Sequence, residues 1–216
     1  ASIGIVLNQN YVEAADESHE EEAILEDAIK NRWFMDPILK GEYPSEAVEH
    51  LGTILSGIDL TEAKQVAVPL DFFGLNYYMR TVMGQHPSQK LPMTQMEWEV
   101  YPDGLYYLLL RLKDYQAPPI IITENGAAYP DPPPIDGVVE DPQRVAYLEK
   151  HLDALHRAIE AGVDVRGYFV WSLLDNFEWR FGYSRRFGIF YVDFQTLQRI
   201  PKRSAYFYRD FIEKNA

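Results

Sequence analysis

The stretch IIITENG, residues 120–126, places a carboxylate directly after a run of apolar, mostly β-branched residues. A run this short and this apolar, residues 120–123, is typical of a strand that is buried on both faces of a parallel sheet. An ionised Glu124 at the end of such a strand is costly to bury unless it is hydrogen-bonded or paired with a charge. Its position alone leaves two interpretations open, a structural glutamate with a local partner and a functional one.

Further strand and helix patterns alternate on both sides of this stretch. Besides residues 120–123, apolar runs predict strands over residues 3–7, 70–78 and 165–171. Helices are predicted from an N-cap at Ser18 to just before Asp36-Pro37, in a short stretch from Pro44, and over residues 102–115, 142–161 and 204–214. An irregular loop is predicted over residues 81–100, and a hairpin around residues 187–194. Four successive β–loop–α units predict an α/β fold with a parallel sheet.

Composition narrows the class of protein. The 216 residues are 47% hydrophobic and 25% charged, as expected for one globular domain over residues 1–216. The net charge of −13 disfavours nucleic acid and anionic membranes as partners. The absence of cysteine excludes disulfides and thiolate metal sites. There is no HExxH motif and no glycine-rich phosphate loop, so we expect no cofactor and, by default, a cytoplasmic enzyme.

Polar and aromatic side chains follow the predicted strands, where parallel sheets carry their functional groups. They are Asn8, Gln9 and Asn10; Asn76, Tyr77 and Tyr78; Glu124; and Trp171, Asp175, Asn176, Glu178 and Trp179. Carboxylates and amides bind hydroxyl groups, and a tryptophan ring stacks on a C–H face. The set therefore indicates a polyol ligand that has an apolar face.

Five blocks of sequence occur in a fixed order: GLNYY, ITENG, VWSLLDNFEW, GYSRRFGIFYVDF and RIPKRSAYFY. With GIVLN and NRWFMDPILKGEYP before them, they resemble the family 1 glycoside hydrolases, the β-glucosidase family, over essentially the whole chain. The resemblance implies a (β/α)8 TIM-type barrel that hydrolyses β-glycosides with retention of configuration.

The resemblance also implies roles for individual residues. Glu124 matches the catalytic nucleophile. Tyr78 matches the residue that hydrogen-bonds this nucleophile, and Asn76 matches a nearby polar residue of the sugar site.

Four further residues match the substrate-binding part of the site. Trp171 matches the ring beneath the sugar, and Glu178 and Trp179 match the pair that binds the hydroxyls distal to the anomeric carbon. Phe187 matches a wall of the same subsite, although Phe187 and Trp171 could equally be ordinary core residues. A carboxylate at position 178 would repel a phosphate, so we expect a non-phosphorylated sugar, β-glucose with β-fucose and β-galactose as companions.

The family's acid/base glutamate lies in an Asn-Glu-Pro motif that this chain lacks. The resemblance begins at what would be strand five, so we expect strands five to eight, a half barrel, and poor hydrolysis by this chain alone. Exposed sheet edges favour pairing, which predicts as partner either the complementary N-terminal half barrel or a second copy of the chain. The alternative is a catalytically silent half barrel that acts as an assembly or sugar-binding module.

Overall fold

The structure is a computed structural model and describes residues 1–84 and 91–215. In chain order the strands are β1 (Gly4–Asn8), β2 (Tyr11–Ala14), β3 (Phe72–Asn76), β4 (Arg80–Met83), β5 (Ile120–Asn125), β6 (Val165–Val170), β7 (Phe190–Val192) and β8 (Arg199–Pro201). The α-helices are α1 (Glu20–Asp27), α2 (Trp33–Lys40), α3 (Ser45–Leu51), α4 (Ala63–Val66), α5 (Pro102–Asp114), α6 (Pro142–Glu160) and α7 (Arg203–Asn215). No helix in these described ranges has the length and apolar character of a membrane span.

The main sheet confirms the four predicted strands and their parallel arrangement. Its order is β1-β3-β5-β6, and every neighbouring pair is parallel. The pairing register aligns Asn8 with Asn76 and Asn76 with Glu124. Because parallel strands end at the same edge, these three side chains form one row at the carboxyl edge of the sheet.

The core lies on one face of the sheet, beneath α5 and α6. Alternate residues of β3 and β5, such as Phe73 and Ile122, are fully buried in this layer, as the two-residue period of a strand requires. An apolar stripe of α5 is buried against them; its members are Leu105, Leu108, Leu109 and Leu112. The fold's hydrophobic free energy therefore comes from the helix-covered side.

The opposite face of the sheet is open. Val6 on β1 is 45% exposed and Phe169 on β6 is 59% exposed, although both are large apolar side chains within strands. In the middle of this face a Cβ on Gly74 would lie 2.7 Å from Val6, so neighbouring strands are closely packed there. The open face and the two edge strands, β1 and β6, are what half of a closed barrel exposes.

Two helix boundaries differ from the sequence prediction. The prediction that the helix ends before Pro37 is wrong: α2 continues through Pro37, whose side chain is buried, to Gly41 in the left-handed conformation (φ 74°). Buried contacts outweigh the one backbone donor that proline lacks. The Ser18 N-cap is also wrong, because Asp16 accepts the Ser18 N–H at 3.0 Å.

Two loop predictions are also corrected. Part of the predicted irregular loop forms β4, which pairs in parallel with β2; residues 85–90 of that loop lie outside the described residues. The predicted hairpin exists, but β7 pairs with β8, so it extends beyond residue 194.

A buried ionic network fixes the segment between β6 and β7. The Lys202 ammonium group lies 2.5 Å from Asp131 and 2.8 Å from Asp175, and the Arg186 guanidinium group lies 2.6 Å from the other oxygen of Asp175. Arg144 pairs with Asp131 at 3.0 Å and with Asp141 at 2.5 Å. Burial and the charge of Arg144 lower the pKa of Lys202.

Asp141 occupies the N-cap position of α6. Its carboxylate, however, makes no capping bond to α6; it accepts the backbone N–H and the hydroxyl of Ser204 at the start of α7, at 2.9 and 2.5 Å. The two C-terminal helices are thus joined through one side chain.

We expect Lys202→Met to lower the free energy of unfolding by about 3–5 kcal/mol, because Asp131 and Asp175 would each lose a buried cation. Lys214→Met, on the exposed end of α7, is the matched control and should change stability by less than about 0.5 kcal/mol. Urea unfolding measures both; equal effects would show that the network does not stabilise the fold.

A fully buried histidine predicts a pH-dependent stability. His151 on α6 stacks on Tyr147 (ring centroids 3.9 Å apart), its Nδ1 lies 2.8 Å from the Tyr147 carbonyl oxygen, and burial lowers its pKa to about 4. The unfolded chain binds a proton below pH about 6.5, whereas the folded chain does so only below about 4. The contribution of His151 to the free energy of unfolding is therefore fully present above the pKa of the unfolded chain. It is lost as the pH falls towards 4, and about 2 kcal/mol of it is lost at pH 5.

The measurement is the difference in unfolding free energy between pH 7.5 and pH 5. His151→Phe should reduce that difference by the histidine's share of about 2 kcal/mol. His156→Gln, an exposed histidine on the same helix, should leave it unchanged. An unchanged difference in His151→Phe would show that His151 does not titrate as its burial requires.

Candidate active site

Glu124 has a specific hydrogen-bond partner at the edge of the sheet. The hydroxyl of Tyr78 donates to Oε2 of Glu124 at 2.5 Å, and both side chains are partly buried. Burial, reinforced by this hydrogen bond and by the charge of Glu124, raises the pKa of Tyr78 far above its usual value. Tyr78 therefore remains protonated and remains a donor, which leaves Oε1 of Glu124 as the oxygen not held by this bond.

Asn76 lies beside Glu124 on the neighbouring strand. The register pairs the two residues, and the Thr123 hydroxyl donates to Oδ1 of Asn76 at 2.6 Å. This bond orients the amide, so that its NH2 group is the donor that remains for a ligand. Three of the predicted site residues, Asn76, Tyr78 and Glu124, are thus brought together by β3 and β5.

The two residues that follow Glu124 in ITENG, Asn125 and Gly126, fix the position of the backbone around it. Asn125 is fully buried, donates to the Tyr77 carbonyl at 2.7 Å and accepts the Tyr168 hydroxyl at 2.6 Å. A Cβ on Gly126 would lie 1.7 Å from the carbonyl oxygen of Trp171, so only glycine allows this approach. Trp171, whose peptide bond to Ser172 is cis, is held at the end of β6 by donating its N–H to Asn125 O at 3.0 Å.

Glu178 lies close enough to Glu124 for the charge of Glu124 to act on it. Burial and the negative charge of Glu124 raise the pKa of Glu178, and its backbone N–H donates to Gly182 O at 2.7 Å. The adjacent Trp179 is 83% exposed in a short 3₁₀ turn. Glu178 is therefore partly buried near Glu124, whereas Trp179 is exposed to solvent, and their binding of a sugar stays a prediction.

Phe187 is buried behind the site as part of a three-ring cluster. Its ring centroid lies 6.2 Å from Tyr78 and 6.2 Å from Trp98, and those two rings are 5.5 Å apart. Sequence analysis missed Trp98, whose only signal is a large ring in an otherwise irregular segment. Phe187 supports Tyr78 in this structure, and its role as a wall for the sugar stays a prediction.

Several polar residues that follow the predicted strands do not reach the site. Asp175 belongs to the buried ionic network. Its backbone is closely packed as well, because a Cβ on Gly188 would lie 2.1 Å from the Asp175 backbone nitrogen. Asn176 donates to the Ser172 hydroxyl at 3.1 Å. Gln9 is buried and accepts a hydrogen bond from Arg111 at 2.9 Å. Their polarity serves packing and ion pairing, which residue type at a strand end does not reveal.

Two neighbours of the predicted site are likewise structural. The hydroxyl of Tyr77 donates to the Tyr101 carbonyl at 2.5 Å, within the core. The backbone N–H of Asn10 donates to Oδ1 of Asn31 at 3.1 Å. Within the described ranges, no three histidine, aspartate or glutamate side chains are arranged to hold a metal ion.

Comparison with known proteins identifies the family. The model of Glycosyl hydrolase family 1 matches residues 1–216. Beta-glucosidase A of Acetivibrio thermocellus is 42% identical, with 100% of this chain and 52% of that protein covered. A bifunctional beta-D-glucosidase/beta-D-fucosidase of Bifidobacterium breve is 42% identical over 86% of this chain and 47% of its own length.

Solved structures give the same result. A beta-glucosidase from Thermotoga maritima in complex with deoxynojirimycin superposes with a TM-score of 0.92 at 39% identity, and the match covers 100% of this chain and 51% of that one. The chain spans about half the length of the curated relatives it matches. Its four parallel strands are half of a (β/α)8 barrel, as expected. The chain belongs to glycosyl hydrolase family 1.

Proposed function

We propose that this chain is the nucleophile-bearing half of a retaining β-glycosidase that hydrolyses non-phosphorylated β-D-glucosides. The observation that carries the proposal is the Tyr78–Glu124 hydrogen bond at the carboxyl edge of a parallel sheet. Relatives named as beta-glucosidases support the class of reaction.

In the first step, Oε1 of Glu124 attacks the anomeric carbon while the bond to the leaving oxygen breaks, which forms a glycosyl ester on Glu124. A second carboxyl group donates its proton to the leaving oxygen. In the second step that group removes a proton from water, whose oxygen attacks the anomeric carbon and releases Glu124. Tyr78 holds Oε2 throughout, so the carboxylate presents a defined oxygen to the sugar.

The second carboxyl group must come from outside residues 1–216. Retaining enzymes place the two groups about 5–5.5 Å apart. Glu178 is the other carboxylate in this space, but we assign it, with Trp179, to the sugar's distal hydroxyls. We infer that the complementary half barrel carries the acid/base, covers the open face at Val6 and Phe169, and pairs with the free edges of β1 and β6.

The charge of the site favours a neutral sugar. Burial and the negative charge of Glu124 already raise the pKa of Glu178, and a phosphate beside them would add a further negative group. The sugar ring would lie on Trp171, with Asn76 on a hydroxyl near the anomeric carbon. We propose glucose as the preferred sugar, with fucose and galactose as companions.

The first test is covalent labelling with 2,4-dinitrophenyl 2-deoxy-2-fluoro-β-D-glucoside. Its leaving group does not need an acid, and the fluorine slows hydrolysis of the ester. Intact mass should show one sugar adduct on the wild-type chain and none on Glu124→Gln. An ordinary alkyl β-glucoside should be hydrolysed poorly without the complementary half, since a general acid contributes about 10²–10⁴-fold.

A folded sample without adduct would support the alternative of a catalytically silent module. An adduct that persists in Glu124→Gln would show that another residue is the nucleophile. Size measurement of the unlabelled chain distinguishes a homodimer from a monomer that awaits a different polypeptide.

A second prediction concerns Tyr78. Tyr78→Phe removes the hydroxyl that holds Oε2, and we expect the labelling rate to fall about 10- to 100-fold, the range for a hydrogen bond to a charged group. The adduct should still form on Glu124. Tyr77→Phe, which removes the neighbouring core hydroxyl bonded to Tyr101, is the matched control and should change stability but not the labelling rate. Equal loss of rate in both variants would contradict the assignment.

A further inference from the structure

A groove of about 710 Å³ lies between α1, β2 and α5, away from the candidate active site. None of the residues proposed to bind the glucoside lines it. Its floor includes Ala23 of α1 and Leu108 of α5, which belong to the helix-covered side of the sheet. The groove therefore lies beside α5 and not on the strand face that is open at Val6 and Phe169.

Tyr107, which lines the groove, is the last of several stacked aromatic rings. The Arg80 guanidinium group lies 4.1 Å from the Tyr101 ring centroid. Tyr101 stacks on Tyr11 at 5.9 Å, and Tyr11 stacks on Tyr107 at 5.2 Å with an interplanar angle of 28°. Tyr107, the last ring, is 44% exposed. Stacking and the T-shaped contact with Tyr106 hold this exposed ring in place before any ligand arrives, which lowers the entropy lost on binding.

Six charged side chains line the groove, and four of them form one paired group. Of the other two, Glu13 pairs with Arg80, and Glu20 is exposed. Asp27 accepts bonds from Arg32 at 3.0 Å and from Arg111 at 2.6 Å, and Arg32 also pairs with Glu46 at 3.1 Å. Within this paired group the two carboxylates and the two guanidinium groups balance in charge. They do offer paired acceptors and donors to a neutral molecule that carries several hydroxyl groups.

We propose that this groove is a second, non-catalytic binding site for a neutral oligosaccharide. A pyranose ring has an apolar C–H face and a polar rim, and the groove offers an exposed ring face beside compensated ion pairs. One sugar stacks on Tyr107, and its neighbours place hydroxyls against Glu46 and Arg32. A small apolar floor with a few placed polar groups is the usual composition of a ligand site. The proposal does not depend on the role of Glu124.

The test is calorimetric titration of the chain with cellotetraose. Trp171→Ala serves as the background, because it removes the ring proposed for the active site. In this background we expect saturable binding that Tyr107→Ala weakens by about tenfold or more, as for an exposed aromatic anchor. Tyr107→Phe should keep the affinity. Phe34→Ala, an exposed ring on α2 outside the groove, should leave it unchanged. Circular dichroism establishes that each variant is folded.

Two results would overturn the proposal: no cellotetraose binding in the Trp171→Ala background, or cellotetraose binding that Tyr107→Ala leaves unchanged. A further titration, with spermine, divides the outcome in which cellotetraose does not bind into binding of spermine in the groove or binding of neither. Binding of spermine would assign the site to a cation. Labelling of Glu124 should proceed normally in Tyr107→Ala. A chain that fails to label but still binds cellotetraose through Tyr107 would refute the proposed catalytic role alone.

Discussion

The parallel pairing of β3 with β5 is the constraint on which the rest of the site depends. It sets Asn76 opposite Glu124, and two residues later it brings the Tyr78 hydroxyl to the carboxylate. Leu75 pairs with Ile122, but the next residue, Asn76, pairs with Glu124, so the register shifts by one residue between the two pairs. Without this irregularity, Thr123 would lie opposite Asn76. Burial of Phe73 and Ile122 on the helix side specifies the regular part of the register, and the irregularity that follows sets the carboxylate opposite the amide.

The covered face and the open face of the sheet explain how a half barrel can hold an ordered site and still present a surface for the partner that we propose. The helix-covered side has its own core, and the ionic network around Lys202 fixes the segment that carries Glu178. The strand face that carries Glu124, the proposed nucleophile, remains open at Val6 and Phe169. Covering that face would bury apolar surface and exclude water from the nucleophile at once, so assembly and catalysis would draw on the same contacts.

The sequence predicted the strands well because buried parallel strands are continuous apolar runs bounded by polar residues. The sequence predicted helix ends and side-chain roles less well where contacts between distant parts of the chain determine them. Pro37 did not end its helix, because the buried face of α2 and the Gly41 cap outweigh one missing donor. Asp175 resembles a ligand-binding carboxylate, yet it is neutralised by Lys202 and Arg186, which lie 27 and 11 residues further along the chain. Long-range ion pairs of this kind leave no local pattern, and neither does the Trp98 ring behind Tyr78.

The contact between Gly126 and the Trp171 carbonyl separates two kinds of information within one short motif. Asn125 and Gly126 are required by buried hydrogen bonds and by a close backbone approach, whereas Glu124 is the residue of the three to which we assign the reaction. A descendant that lost the reaction but kept the fold would therefore retain the asparagine and glycine while its glutamate drifted. In such lineages the asparagine and the glycine would indicate common ancestry, and the glutamate would indicate whether the reaction is retained.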